Sequence, residues 1–375
     1  MNRVRPKVAT VTSAHRPDDI RVVWKECRAL SSEYDLTLIA PEGPLPLAKV
    51  DFEYTAISVR HSRWARFLFN PIECFRELRR GRFDLVHAHD PELLPLLLLW
   101  KILHPSSVVV YDAHESLGEQ IAGKSYIPHS LRPLVAFLAS ALLVLVVRRI
   151  DGVVAATPKI AQSIRGAKSG RVIVVQNFPW LSDYPEPVEL VENVAPNLCY
   201  VGAISEARGR GAMEALADSL PGVNVVVAGK DLPQDRSDGF GAPANVHYVG
   251  SISSDSVPSF IAQHSVGLAL LSPLPNYLWS QPTKIFEYMA SARPFIASDL
   301  PRWRELFGDL EAGLLVDPSD PEEVALAART LLHTPGLARQ YGLRGRRAVV
   351  ENFSFEIEAE RLVGFYQDLI GGHER

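Results

Sequence analysis

DLVHAH (84–89) and SVVVYDAH (107–114) are the stretches on which the fold turns. Both are short and apolar at successive positions, not at alternate ones. A strand covered on one face alternates apolar with polar residues. A strand buried on both faces, as in a parallel sheet roofed by helices, has no need to. Toward the N-terminus the same kind of run recurs in KVATVTS (7–13), DLTLIA (35–40) and YTAISV (54–59). Toward the C-terminus it recurs in GVVAAT (152–157) and RVIVVQN (171–177). Helical patterns such as IRVVWKECRALSS (20–32) and PKIAQSIRGA (158–167) lie between these runs. Repeated β–α alternation predicts an α/β fold with a doubly wound parallel sheet.

The pattern breaks at WLSDYPEPVELVENVAPN (180–197), which is rich in proline and acid and keeps no period. That composition reads as an interdomain linker. Alternation then restarts with LCYVGAI (198–204), NVVVAG (224–229), VHYVG (246–250), VGLALLS (266–272), RPFIAS (293–298) and GLLVD (313–317). At 375 residues the chain exceeds what one core ordinarily serves. The expectation is two Rossmann-like domains, 1–180 and 181–375, with an interdomain cleft. No short internal repeat is visible.

Composition narrows the function classes. Apolar residues make up 47% and charged residues 22%, as in a globular protein, and the net charge of −4 supplies no basic field for nucleic acid. Cys27, Cys74 and Cys199 stand alone, without a metal or disulfide spacing, so no metal site is expected and a cytoplasmic, reducing compartment fits. LVAFLASALLVLVV (134–147) has 14 residues, fewer than the roughly 20 needed to span a bilayer, and reads as a buried or membrane-surface helix. RHSRWARFLFNPIECFRELRRGR (60–82) sets seven arginines against Glu73 and Glu77, interleaved with Trp64, Phe67 and Phe69. Such a segment reads as a solvated helix face or as a weak peripheral contact with anionic lipid at the inner membrane face.

Ligands of open parallel sheets bind beyond the carboxyl ends of the strands. In the first half those ends carry Ser13-Ala14-His15-Arg16, His87-Ala88-His89-Asp90 and Asp112-Ala113-His114-Glu115. One such histidine reads equally well as a core residue; three at equivalent positions point to a site, with Asp19 close by in HRPDDIR (15–21). In the second half PNYLWSQPTKIFEYMASARPFIAS (275–298) predicts a helix beginning at Pro282 without the usual Ser, Thr, Asp or Asn cap. Lys284 then opposes the helix dipole unless an anion is bound there. Glu287, one turn on, can accept both hydroxyls of a ribose. A frayed cap with a surface Lys284–Glu287 pair is the alternative. The loop SEARGRG (205–211) carries Arg208 and Arg210 with two glycines and suits either a diphosphate or a solvated turn.

LCYVGAISEARG, PTKIFEYMASARPFIAS and GLLVDPSDPEEVALA resemble the C-terminal half of the family-4 glycosyltransferases, and DLVHAHDPELL and VVVYDAHE resemble their N-terminal half. The resemblance runs from residue 7 to about residue 350. It implies a GT-B fold, a nucleotide-diphosphate-sugar donor, transfer with retention, and no metal or other cofactor. Glu287 matches the ribose-binding second Glu of the family's Glu-x7-Glu signature; Trp279 stands at the first. Ala203 replaces one diphosphate-binding Arg, while Arg208 lies near the position of the family's Lys. His89 matches the second His of an HxH segment that lies against the transferred sugar. HRPDDIR occupies the place of an early Gly-rich loop.

The resemblance also implies that the last helix (354–370) returns to the first domain, leaving 1–180 on the acceptor side and 181–375 on the donor side. The expected reaction moves a sugar, from a UDP-sugar, to the hydroxyl of a glycan, lipid-linked or small-molecule acceptor. His89, Arg208 and Lys284 form the expected catalytic set. Thr283, Gly202 and Ser280 join Glu287 on the donor; His15, Arg16, Asp19, His114 and Glu115 face the acceptor. Two rival readings are a nucleotide-sugar epimerase of the same fold, and a non-catalytic nucleotide-sugar-binding or scaffold protein, which the departures at Trp279 and Ala203 motivate.

Overall fold

A computed structural model describes residues 5–45, 51–60, 62–114, 128–168, 170–186, 196–230 and 243–373. The chain divides into two compact units. One comprises Met1–Asn177 with Glu356–Arg375, and the other Phe178–Phe355.

The first unit holds a seven-stranded sheet: β1 (Lys7–Val11), β2 (Asp35–Pro41), β3 (Glu53–Ile57), β4 (Leu85–Ala88), β5 (Val108–Ala113), β6 (Gly152–Ala155) and β7 (Val172–Val174). Its order is β3-β2-β1-β4-β5-β6-β7, and every pair is parallel. β4 and β5 are buried at every position, as their unbroken apolar runs require. The second unit holds β8 (Asn197–Val201), β9 (Asn224–Ala228), β10 (Val246–Gly250), β11 (Val266–Ala269), β12 (Phe295–Ser298) and β13 (Gly313–Val316). This sheet is also wholly parallel, in the order β10-β9-β8-β11-β12-β13. All thirteen strand segments read from the sequence are strands.

Three helical expectations change. The segment 20–32 winds as a wide π-helix over Ile20–Cys27 before one α-turn, Arg28–Ser31. Arg21, Lys25 and Glu26 are buried on it, so its period answers to polar contacts inside the unit. The helix expected over 158–167 stops at Ser163. The helix expected at Pro282 begins one residue later, as Thr283–Ala290: Pro282, with ψ 79°, occupies the cap position, and no side chain caps the helix. The C-terminal helix, Phe355–His373, packs in the first unit; Gly152 leaves room for Phe365 and Leu369, whose atoms lie 2.7–2.9 Å from where a Cβ would stand. Part of the expected linker, residues 187–195, lies outside the described residues.

Candidate active site

Each sheet reverses its strand order at one place, and there the helices on either side part and leave a crevice at the carboxyl ends. In the second unit that place is between β8 and β11. β8 runs into Gly202, whose φ of +133° an L side chain rarely adopts. A Cβ on Gly202 would stand 3.1 Å from Lys284 Nζ, so glycine lets the lysine reach the strand end. The ammonium lies 4.9 Å from the centroid of the Tyr200 ring, a cation–π contact. The Tyr200 hydroxyl donates to the Ala203 carbonyl at 2.8 Å.

Arg208 arrives from the other side. Gly209 has φ +90°, and a Cβ there would meet the Leu270 carbonyl at 2.1 Å. The loop can therefore lie flat on the chain leaving β11, where the Ser272 N–H donates to the Ala207 carbonyl at 3.0 Å. Arg208 Nη1 reaches the Ala203 carbonyl at 3.5 Å. Burial pushes the Lys284 ammonium down to about 8; Arg208 pushes the same way and Glu287 opposes. Two cations thus converge at the uncapped start of a helix, where backbone N–H groups and the dipole also favour an anion. Glu287 sits one turn beyond, and its charge, after burial, helps raise the Tyr184 phenol.

Ser280 is held differently. Its hydroxyl donates to the Tyr277 carbonyl at 2.9 Å, and its own carbonyl accepts the Trp303 indole N–H at 3.0 Å. Trp279 is half exposed. Arg210 pairs with Glu206 at 3.2 Å and does not join Arg208.

In the first unit the reversal falls between β1 and β4. Asp90, just past β4, accepts from the Thr12 hydroxyl at 2.6 Å and the Ser13 N–H at 2.7 Å, tying the two strand ends together. His15, His89 and His114 gather there: the ring centroids of His15 and His89 lie 5.2 and 5.4 Å from that of His114. His15 Nδ1 is 3.0 Å from Asp19, and Nε2 is 3.4 Å from Asp90. Burial alone would lower the His15 pKa; the two carboxylates outweigh it and raise it. Burial would raise Asp19, but its bond to His15 holds it at about 2. Asp19 also caps the π-helix, accepting from the N–H groups of Arg21 and Val22.

His89 is enclosed, at 2% exposure. Its Nδ1 lies 3.2 Å from His114 Nε2 and 3.4 Å from Asp112. Burial lowers its pKa although Asp112 pulls upward. Nε2 of His89 has no hydrogen-bond partner among the described residues. Arg16 is exposed beside Asp18, at 3.4 Å. Glu115 lies outside the described residues.

Beneath these groups is a buried network that sequence reading missed. Arg21 binds Asp112 through Nε and Nη2 at 3.1–3.2 Å, Glu26 at 3.0 Å, and the Val175 carbonyl at 2.8 Å. Burial would raise Asp112, but Arg21 and His114 hold it well below the carboxylate range. Burial and then the Asp112 charge push Glu26 well above that range, with the Arg21 guanidinium opposing. Tyr366, from the C-terminal helix, lies 2.6 Å from His87 Nδ1. Ligand atoms of Glu26, His87, His89 and Asp112 all lie within 4.8 Å of one another. Arg21 lies 3.0 Å from Glu26 and 3.1 Å from Asp112, and its buried charge opposes a cation there. Arg21 and Asp112 are 91 residues apart, and only their chemical types, charge among apolar runs, hinted at the pairing.

Comparison with known proteins accords with this arrangement of two sheets and two strand-end crevices. The model described as Glycosyltransferase Family 4 matches residues 21–178, and the one described as Glycosyl transferase-like matches residues 208–364. A phosphatidyl-myo-inositol mannosyltransferase of Mycobacterium leprae is 24% identical over 314 residues, covering 81% of this chain and 79% of its own. One from Propionibacterium freudenreichii is 22% identical, covering 77% and 71%. Sucrose-phosphate synthase from Thermosynechococcus elongatus shares the fold with a TM-score of 0.71 at 18% identity, covering 98% of this chain and 100% of its own. The Anabaena protein HepE, solved in complex with UDP and glucose, does so with 0.70 at 13%, covering 97% and 100%. With both halves matched by glycosyltransferase models and the GT-B fold common to these structures, the chain belongs to the family-4 glycosyltransferases and is an enzyme of sugar transfer.

Proposed function

We propose that the second unit binds the nucleoside diphosphate of a UDP-sugar and that the enzyme transfers the sugar with retention. The observation that carries this reading is the convergence of Lys284, Arg208 and an uncapped helix start on Gly202, where β8 ends. Lys284, Arg208 and the helix start at Thr283 stabilise the charge that develops on the departing diphosphate. Glu287 accepts the ribose hydroxyls, and Gly202 keeps the strand end open to phosphate. Ser280 acts through the turn that precedes the helix. The bond from the anomeric carbon to the diphosphate oxygen breaks, and one to the acceptor oxygen forms. The acceptor's proton passes to the leaving diphosphate. His89 positions the transferred sugar, while His15, Arg16, Asp19, His114 and Glu115 serve the acceptor. No metal is assigned to the reaction.

The named similarity to phosphatidyl-myo-inositol mannosyltransferases supports a lipid-linked acceptor, with the enzyme at the cytoplasmic face of the membrane and residues 60–82 in weak contact with lipid. Incubation with UDP- and GDP-sugars, followed by NMR of the anomeric proton, tests the reading. A UDP-sugar should be consumed with the donor's anomeric configuration kept in the product. Exclusive use of a GDP-sugar, or inversion, would contradict it.

A further inference from the structure

Three helices cover one face of the first unit's sheet: Arg63–Leu78, Leu94–Leu103 and Arg132–Val147. Each sends a few side chains into the core below, among them Cys74 and Leu78, Leu97 and Trp100, and Val146 and Val147. The middle helix touches both of its neighbours. Their outward surfaces are apolar as well. On the first helix Trp64, Phe67, Leu68, Phe69 and Ile72 are exposed. Leu99, Ile102 and Leu103 continue the surface on the second. Leu134, Phe137, Leu138 and Leu145 complete it on the third, at the i, i+3, i+4 spacing of one helical stripe. These side chains are between 44% and 71% exposed. Single exposed apolar residues are ordinary, but stripes on three adjacent helices mark an interaction surface.

The charges identify the partner. Neither Leu94–Leu103 nor Arg132–Val147 contains a carboxylate. Lys101 is neutralised by Asp151 at 2.7 Å. Exposed Arg148 and Arg149 follow the third helix and Arg79 follows the first, where Arg76 and Arg80 pair with Glu77 and Arg66 lies 3.9 Å from Glu92. Glu73 and Glu77 are mostly buried and already paired with arginines. An apolar centre with a cationic rim complements a bilayer whose headgroups are anionic and whose interior is hydrocarbon. A 16-residue helix is about 24 Å long, and no helix among the described residues is long and apolar enough to cross a membrane. Such a helix lies in the interface with its stripe downward.

We infer that this three-helix face inserts shallowly into an anionic bilayer, with Arg132–Val147 and Leu94–Leu103 as its inserting part. The inference rests on the proposed lipid contact of residues 60–82 and extends it to two helices that carry no net anionic charge. It makes binding partly hydrophobic, and that part persists in salt, which screens only the arginines.

Co-sedimentation of the full chain with vesicles of phosphatidylcholine, alone or mixed with phosphatidylglycerol, tests it. Three proteins are compared: the unaltered chain, F137D/L138D and F67D/I72D. All four positions are exposed, and unchanged melting temperature and UDP binding verify the fold. The unaltered chain should sediment with the mixed vesicles and retain part of its binding in molar salt. F137D/L138D should lose partitioning by roughly ten-fold or more, since two large apolar groups no longer enter lipid. If F137D/L138D binds normally while F67D/I72D does not, the inserting helices are wrong and the contact at 60–82 stands. Complete release by salt overturns insertion. A dimer in solution that F137D/L138D makes monomeric, without vesicle binding, overturns the membrane as partner.

Discussion

Lys284 shows what one residue is asked to do at the proposed donor site. Its ammonium stands partly buried at the positive end of a helix, beside Arg208, and its pKa is depressed to about 8. The unfolded chain holds that proton up to the ordinary lysine value, so between pH 8 and about 10.5 it binds more protons than the folded chain. Stability of the free protein therefore rises with pH across that window, and Lys284→Met should remove the rise in a series of melting temperatures. A diphosphate restores the charged form. UDP binding near pH 8–9 should take up a proton, visible as a dependence of calorimetric heat on buffer ionisation, and affinity should fall above pH 8. Gly202 fixes the approach: its φ of +133° strains any L side chain, and an added Cβ would stand 3.1 Å from Lys284 Nζ and crowd it. Gly202→Ala should weaken UDP more than uridine, because it displaces the ammonium that meets phosphate; equal loss for both ligands would mean a general distortion.

At the scale of elements, the π-helix Ile20–Cys27 shows why some of the site was hidden from sequence. Its residues were legible as helical, but their apolar period gave no hint that Arg21 and Glu26 turn inward. The reason for burying them lies in Asp112, on a strand far along the chain. Such pairing leaves no local pattern. The strands were legible because burial on both faces forces apolar runs, and the missing helix cap at Thr283 was legible because capping chemistry is local. Removing one partner of a buried pair strands the other's charge, so Arg21→Met should cost about 3–5 kcal/mol in denaturant unfolding. A loss below 1 kcal/mol would show Asp112 finding another partner at about no expense. His87 makes an acid prediction. Burial, then His89, hold its pKa well below 6.5. The unfolded chain takes up a proton below pH 6.5 that the folded one refuses, so stability falls as pH drops through that range. His15, whose pKa is raised, contributes with the opposite sign, its share being lost as pH rises through its folded value. His87→Gln should flatten the acid limb of melting temperature between about pH 7 and pH 5.

For the whole molecule, two parallel sheets each present polar residues at the point where strand order reverses, and the chemistry of the two points differs. The first unit offers histidines and carboxylates; the second offers cations and a helix start. The C-terminal helix belongs to the first unit through Tyr366 and through Phe365 and Leu369 against Gly152. Ending the chain after Phe355 should therefore lower the first unit's melting transition while UDP still protects the second. Loss of both transitions together would show that the units do not unfold separately. The central claim is that the second unit's crevice holds a nucleoside diphosphate. Titration calorimetry of UDP and uridine against the unaltered chain, Lys284→Ala and Glu287→Ala tests it most directly. Lys284→Ala should weaken UDP by about 1–3 kcal/mol and leave uridine nearly unchanged, and Glu287→Ala should weaken both. Unchanged affinity for both ligands in both variants would contradict the account.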